Sequence, residues 1–249
     1  MYGGFARYAG ADLSALDRPI DAFERFDDFF TRPLADGARP VDARDGVVVS
    51  PVDGVVSEVG HAYAGRMIQA KGLDYSVEGL LGDAERARTF LDGAYTTLYL
   101  APKDYHRIHA PLAGKVVAYR HIPGALYPVN QLSVRTVPGL FSINERVISY
   151  LDTEVGLCAV VKVAATGVGN ISLSYDPRVR SHDGSEGSER VYHPEIEVSR
   201  GGELGMFHLG STVILLFEPG KVELGIRPGE VVKVGAAIGR PPVPAQQAS

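Results

Sequence analysis

Apolar positions in this chain recur mostly in short strand-like runs and only seldom at helical spacing. Val213-Ile214-Leu215-Leu216-Phe217 is a continuous apolar run and reads as a buried strand, entered through Phe207-His208-Leu209-Gly210-Ser211-Thr212. Val47-Val48-Val49, Val55-Val56, Thr96 to Leu100, Lys115 to Tyr119, Ala159 to Ala164, Val222 to Leu224 and Val231 to Gly235 read as further strands. Asp53-Gly54 lies between two of these runs, which is a hairpin signal and gives Asp53 a purely structural reading. Helical spacing is confined to a few places. Ile20, Phe23, Phe26, Phe29 and Phe30 form one stripe after Asp17-Arg18-Pro19, with Asp21, Glu24, Arg25 and Asp28 on other faces. Val77 to Leu81 is a short helix ended by Gly82, and Asp83 to Leu91 is a solvated helix or loop. Residues 1 to 18 carry Gly3-Gly4 and scattered aromatics and are expected to pack loosely. Residues 176 to 204 are polar and read as a long mobile loop. Many short strands with few helices predict a β-rich α+β fold: a single domain with a barrel- or sandwich-type core of short strands and a few peripheral helices. Its expected division is an N-terminal helical segment, 1–40, ahead of the main domain, 41–249. The strand-turn-glycine rhythms near Asp53 and Gly229 echo each other, as in barrel-sandwich folds.

The phenylalanine stripe has two readings, a surface helix capping a core or a peripheral contact with lipid. Composition narrows the choice only slightly. The 249 residues are 45% hydrophobic and 22% charged, an ordinary globular balance. A formal net charge of -5 supplies no global field for nucleic acid or anionic lipid. Cys158, the single cysteine, lies in an apolar run and is expected to be a buried structural thiol. No run approaches the roughly 20 apolar residues of a spanning helix, and no signal peptide is evident. The expected compartment is therefore cytoplasmic, with any membrane contact peripheral.

Chemistry concentrates in two stretches. Lys103-Asp104-Tyr105-His106-Arg107-Ile108-His109 packs titratable groups between Pro102 and Pro111 at the end of a strand, a density that marks a candidate site. His106 and His109 share one side of a helical turn but take opposite sides of an extended chain. A zinc pair is one reading of them, although no third histidine or cysteine stands at a motif-like spacing. The second stretch is Gly210-Ser211-Thr212, a nucleophile beside an unhindered carbonyl at the mouth of the central strand. Thr166-Gly167-Val168-Gly169-Asn170-Ile171 lacks the third glycine and following helix of a dinucleotide fingerprint.

In combination these segments resemble the phosphatidylserine decarboxylase proenzyme family, in its Leu-Gly-Ser-Thr branch. The matching pieces are Phe29-Phe30-Thr31-Arg32-Pro33-Leu34, Ser50-Pro51-Val52-Asp53-Gly54, Lys71-Gly72 with Tyr75-Ser76, and Tyr105-His106-Arg107-Ile108-His109. Pro123-Gly124 with Val129-Asn130, Asn144-Glu145-Arg146-Val147-Ile148 and Leu209-Gly210-Ser211-Thr212-Val213-Ile214 follow in the same order. The N-terminal region is shorter than in membrane-bound relatives, and the 176 to 204 segment has its own composition.

The resemblance implies a self-cleaving proenzyme. Ser211 attacks the Gly210 carbonyl, with His109 as base and Asp53 orienting it, and the chain divides into a β chain, 1–210, and an α chain, 211–249, that stay associated. Ser211 becomes a covalent pyruvoyl cofactor, and no metal is required. That group decarboxylates phosphatidylserine to phosphatidylethanolamine and CO2 through a Schiff base. His106 is the implied acid that returns a proton, and Arg107 or Lys103 are candidate contacts for the substrate's anionic groups. The implied setting is peripheral, on the cytoplasmic side of the cell membrane, with a phospholipid substrate, no nucleic acid, and a homo-oligomer left open. Three alternatives stand beside this reading: a relative acting on a free amino acid, a zinc hydrolase built on His106 and His109, and a non-catalytic barrel-sandwich module.

Overall fold

The structure, a computed structural model, describes residues 2–70, 72–166, 170–179, 181, 187–208 and 211–243. Six helices are described: α1 (Tyr2–Ala9), α2 (Phe26–Phe30), α3 (Val77–Leu81), α4 (Ala84–Thr89), α5 (Gln131–Thr136) and α6 (Leu140–Ile143). The first eight strands are β1 (Val48–Val49), β2 (Gly54–His61), β3 (Arg66–Ala70), β4 (Leu73–Ser76), β5 (Ala94–Leu100), β6 (Arg107–His109), β7 (Gly114–Ile122) and β8 (Arg146–Thr153). The rest are β9 (Gly156–Val163), β10 (Ile171–Leu173), β11 (Ser188–Val198), β12 (Glu203–Phe207), β13 (Ser211–Phe217), β14 (Glu223–Leu224), β15 (Val231–Val232) and β16 (Ala237–Arg240).

An eight-stranded sheet in the order β11-β7-β8-β9-β13-β5-β2-β15 forms the middle layer, and every pairing in it is antiparallel. Strand β13 lies between β9 and β5, and its side chains alternate between two cores. Val213, Leu215 and Phe217 enter one, while Ile214 and Leu216 enter the other. Both faces are covered, which is why its sequence shows no polar alternation. The first face packs on two small sheets, β1-β16-β14 and β10-β12-β6, through Val48, Ile108, Ile171, Leu204 and Ile238. The second packs on helices through Leu80, Leu81, Leu140 and Phe141. Each such side chain fully removed from water contributes about 1.5–3 kcal/mol. The strand-rich sandwich with peripheral helices agrees with the α+β expectation.

Helix α3 starts where Ser76 Oγ accepts the Gly79 N–H and stops at Gly82, whose φ of 60° lies in the left-handed region. Asp83 then caps α4 by accepting from Glu85 and Arg86. The phenylalanine stripe divides into a 3-10 turn at Ile20–Ala22 and the short α2. Phe23, Phe29 and Phe30 are buried at 4%, 0% and 0% exposure, so these rings serve the interior and are not offered to a lipid surface. Residues 2 to 18 are more structured than expected: α1 joins a small core in which Phe5 meets Phe26 edge-on at 5.0 Å. No helix among the described residues is long and apolar enough to cross a membrane.

Two local expectations are corrected. The 176 to 204 segment contains β11, which pairs with β7 from Ser188 opposite His121 to Val198 opposite Gly114. As the edge of the sheet, β11 keeps most of its residues in water, and its polar sequence therefore imitates a loop. Asp53-Gly54 is not a hairpin turn, because β1 pairs with β16 while β2 pairs with β5 and β15.

Cys158 is fully buried as expected, and burial pushes its thiol up from the usual range. Lys162 is buried in the same strand, its ammonium donating to Ser149 Oγ at 2.6 Å. Burial lowers this lysine to about 7. The unfolded chain then binds the extra proton between about 7 and the ordinary lysine value, so stability rises with pH through that window. Lys162→Met is expected to abolish this rise and to increase stability at neutral pH, measured by denaturant titration at pH 7 and 9.5.

Candidate active site

Strand pairing brings the two chemical stretches together. At the start of β13, Ser211 stands opposite Leu100, the last residue of β5. The chain then leaves β5, crosses 101–106 and returns as β6, which pairs with β12 through Ile108 opposite Gly205 and Arg107 opposite Met206. The Phe207 N–H donates to the His106 carbonyl at 2.9 Å, four residues before Ser211. The stretch from Leu100 to His106 therefore meets the chain at Ser211 and at Phe207. Leu209, Gly210 and the expected scissile bond lie outside the described residues, and of Ser211 only the backbone is described.

Both ring nitrogens of His109 are engaged. Its Nδ1–H donates to the Gly201 carbonyl at 2.8 Å, which leaves the Nε2 lone pair to accept from the Tyr105 hydroxyl at 3.1 Å. The Tyr105 ring stacks on the imidazole, with centroids 5.6 Å apart. Burial lowers the His109 pKa, opposed by the Gly201 carbonyl and the Glu203 charge. A neutral imidazole with a lone pair on Nε2 is the form that takes a proton from a hydroxyl. The Tyr105 phenol, pushed up to about 12 by burial, stays protonated and caps that lone pair.

Asp53 is not His109's hydrogen-bond partner, which corrects the expected Asp-His arrangement; the orienting acceptor is the Gly201 carbonyl. The Asp53 carboxylate instead takes two-pronged donation from Arg39 (Nε to Oδ1 2.9 Å, Nη2 to Oδ2 2.6 Å). Lys233 Nζ at 3.0 Å and the Val234 N–H at 2.9 Å complete the set. Burial alone would raise this carboxyl, but the Arg39 and Val234 hydrogen bonds and the Lys233 charge outweigh it and hold it below the usual range. Asp53 still lies near the imidazole: the His109 N–H donates to the Pro51 carbonyl at 2.8 Å, and the Asp53 charge acts on the ring. Gly54 is required by close approach, since a Cβ there would meet the Tyr99 carbonyl oxygen at 2.4 Å.

His106 is fully buried against the Phe30 ring, centroids 4.1 Å apart. Its Nδ1–H donates to the Asp104 carbonyl at 2.8 Å, and its Nε2 is buried without a partner among the described residues. Burial drives its pKa to about 3, so the ring is neutral and presents a lone pair rather than a proton. Arg107 donates to the Thr31 carbonyl at 2.9 Å and to Glu203 at 2.8 Å, which commits its guanidinium to protein partners. It also lines a different cavity from the one shared by Lys103, Arg39, Asp53 and Lys233. Lys103 is therefore the better placed of the two expected anion contacts.

Four contributors were not assigned a role from sequence. Buried Arg32 staples the 101–106 segment by donating to the Phe29, Lys103 and Asp104 carbonyls. Arg39 and Lys233 hold Asp53, and Tyr105 holds His109. Arg32 and Tyr105 stand inside matched motifs, which was the available signal. Arg39 and Lys233 lie 14 and 180 residues from Asp53 and carried none. Among the described residues, no group of three or more His, Cys, Asp or Glu side chains is arranged to hold a metal ion.

Residues 26–240 match the family model described as phosphatidylserine decarboxylase. A protein of Anaeromyxobacter sp. (strain K), named phosphatidylserine decarboxylase proenzyme, is 53% identical over 239 residues, covering 94% of this chain and 84% of that protein. A protein of the same name from Myxococcus xanthus (strain DK1622) is 50% identical over 237 residues, with the same two coverages of 94% and 84%. One from Acinetobacter baumannii is 44% identical over 215 residues, covering 86% of this chain and 75% of its own.

Proposed function

The chain belongs to the phosphatidylserine decarboxylase family, and from that membership we propose that it is a proenzyme that cuts itself at Gly210-Ser211 and then decarboxylates phosphatidylserine. Family membership makes it a carboxy-lyase. The observation that carries the self-cleavage reading is the convergence at Ser211: its β-partner Leu100 and the His106 carbonyl that receives Phe207 are the two ends of one short segment. That segment leads into His109, a neutral base with its lone pair on Nε2.

Self-cleavage begins with His109 Nε2 taking the Ser211 hydroxyl proton as Oγ attacks the Gly210 carbonyl carbon. The amide becomes an ester, and the proton passes to the departing serine nitrogen. Removal of the Ser211 Cα proton expels the Gly210 carboxylate, leaving a dehydroalanine. Its imine tautomer takes up water and releases ammonia, which leaves a pyruvoyl group at the head of residues 211–249. Tyr105 must release His109 Nε2 for the first step, and its hydroxyl can return there afterwards.

The residues present fit such a group. Its attachment point is the first residue of a strand held on both sides, by β5 and, from Thr212 onward, by β9. The buried His106 Nε2 lacks a partner among the described residues. The pyruvoyl ketone, once formed, supplies an electron sink for the bond that breaks as CO2 leaves. His106 presents an acceptor as it stands, so it can return a proton to the substrate carbon only after taking one up. Lys103 offers a cation for the substrate's phosphate or carboxylate.

His106→Ala is expected to self-cleave normally and to lose decarboxylation by about 10²–10⁴-fold. An uncut product would place His106 in the cleavage step instead. The substrate assignment is tested with purified processed protein and two substrates, phosphatidylserine in mixed vesicles and free L-serine, by measuring CO2 release. Release from the lipid alone supports the reading; release from serine alone would transfer the enzyme to amino-acid decarboxylation.

A further inference from the structure

Asp53 carries more bonding than an orienting carboxylate needs. Three protein groups converge on its two oxygens, and its side chain is 1% exposed. Arg39 grips it with two nitrogens from the stretch between α2 and β1, and Lys233 and Val234 grip it from the chain past Ser211. A bidentate guanidinium fixes both the position and the plane of a carboxylate, which a lysine or a backbone N–H cannot do alone. His109 already has an orienting acceptor in the Gly201 carbonyl, so the carboxylate is not needed for its tautomer.

We propose that Arg39, assisted by Lys233, is a positioning residue for self-cleavage: it fixes Asp53 as an immobile anion whose field, rather than a hydrogen bond, supports the charge that develops on His109. This rests on the self-cleavage reading above. The imidazolium formed when His109 accepts the serine proton is buried, and a fixed negative charge nearby stabilises it without having to move. Arg39 and Asp53 belong to residues 1–210 while Lys233 and Val234 belong to 211–249, so the constellation draws on both prospective chains.

The surroundings set the sign of the pH effect. Asp12, Arg32, Lys103, Asp104 and Tyr105 line the small cavity beside Asp53, and Glu203 and Arg107 act on His109 from β12 and β6. Without Arg39, buried Asp53 retains only Lys233 and the Val234 N–H and takes up a proton at higher pH. This change moves the acid limb of self-cleavage to higher pH.

The test follows full-length precursor in a cell-free synthesis pulse-chase, from pH 5.5 to 8.5, for wild type, Arg39→Gln, Arg39→Lys, Lys233→Gln and Asp53→Asn. Melting temperatures are recorded alongside. Arg39→Gln should cleave about 10–100-fold more slowly, by analogy with the loss seen when a partner that orients a metal ligand is removed. Its acid limb should shift upward. Arg39→Lys should recover part of the rate and of the shift, and it reads the same effect should the glutamine variant fold poorly. Half-exposed Lys233→Gln should show a smaller change in the same direction. A wild-type rate and pH profile in Arg39→Gln, with Asp53→Asn stalled, would overturn the proposal while leaving the Asp53 role intact. Faster cleavage in Arg39→Gln would overturn it too, by showing that Arg39 restrains Asp53. Normal cleavage of Asp53→Asn would remove Asp53 from the reaction and the proposal with it.

Discussion

Ser211→Ala, expressed as the full chain, remains one uncut polypeptide and releases no CO2 from phosphatidylserine. Alanine keeps the β-branch-free start of the strand and the pairing with Leu100, so the fold should be unchanged. What disappears is the hydroxyl that must attack Gly210 and the oxygen that must leave with the Gly210 carboxylate. No other residue in the account supplies either atom. Cleavage should fall by at least about 10⁴–10⁶-fold, the range seen when a covalent nucleophile is deleted, and decarboxylation should vanish with it because the reactive ketone is never made. Denaturing gel mobility and a CO2-release assay check both halves. A precursor that still divides at this position would mean that the serine is not the nucleophile.

His109→Ala should produce the second largest effect, again an uncut chain. The imidazole is the proposed proton acceptor, with Nδ1–H fixed on the Gly201 carbonyl and Nε2 facing the Tyr105 hydroxyl. Loss of a general base costs about 10²–10⁴-fold, so a trace of slow cleavage over hours is consistent and rapid cleavage is not. Burial lowers the His109 pKa, which keeps the ring a base further into acid than a free histidine. Wild-type cleavage should therefore persist somewhat below the ordinary histidine range and fail when the ring finally protonates. A pulse-chase across pH reads both the variant and this limit. The contrast with His106 is informative, since that ring is buried deeper, its Nδ1–H bonds the Asp104 carbonyl and its Nε2 has no partner among the described residues. Two histidines three residues apart thus occupy unlike environments, which the sequence spacing left open.

Legibility followed the physics of each segment. The central strand was plain because burial on both faces leaves a continuous apolar run, and β13 is such a run. Helix α3 was plain because Ser76 and Gly82 supply both of its ends. Strand β11 was read as loop because an edge strand in water needs few apolar residues. Asp53-Gly54 was read as a turn because its local chemistry is that of a turn; its actual constraints, Tyr99 pressed against Gly54 and Lys233 bonded to Asp53, come from remote chain. The same holds for the site. Ser211, His106, His109 and Asp53 are expected from motif order, while Arg39 and Lys233 reach Asp53 only through tertiary contacts that no local pattern encodes.

The intact mass of the purified wild-type protein, taken before and after reaction with a carbonyl-directed hydrazide, tests the scissile peptide most directly. Two species ending and beginning at 210 and 211 are expected. The smaller should be lighter than its serine-headed form by the mass of one ammonia, and it alone should take up one hydrazide. A single unlabelled chain of 249 residues that nonetheless decarboxylates phosphatidylserine would contradict the account.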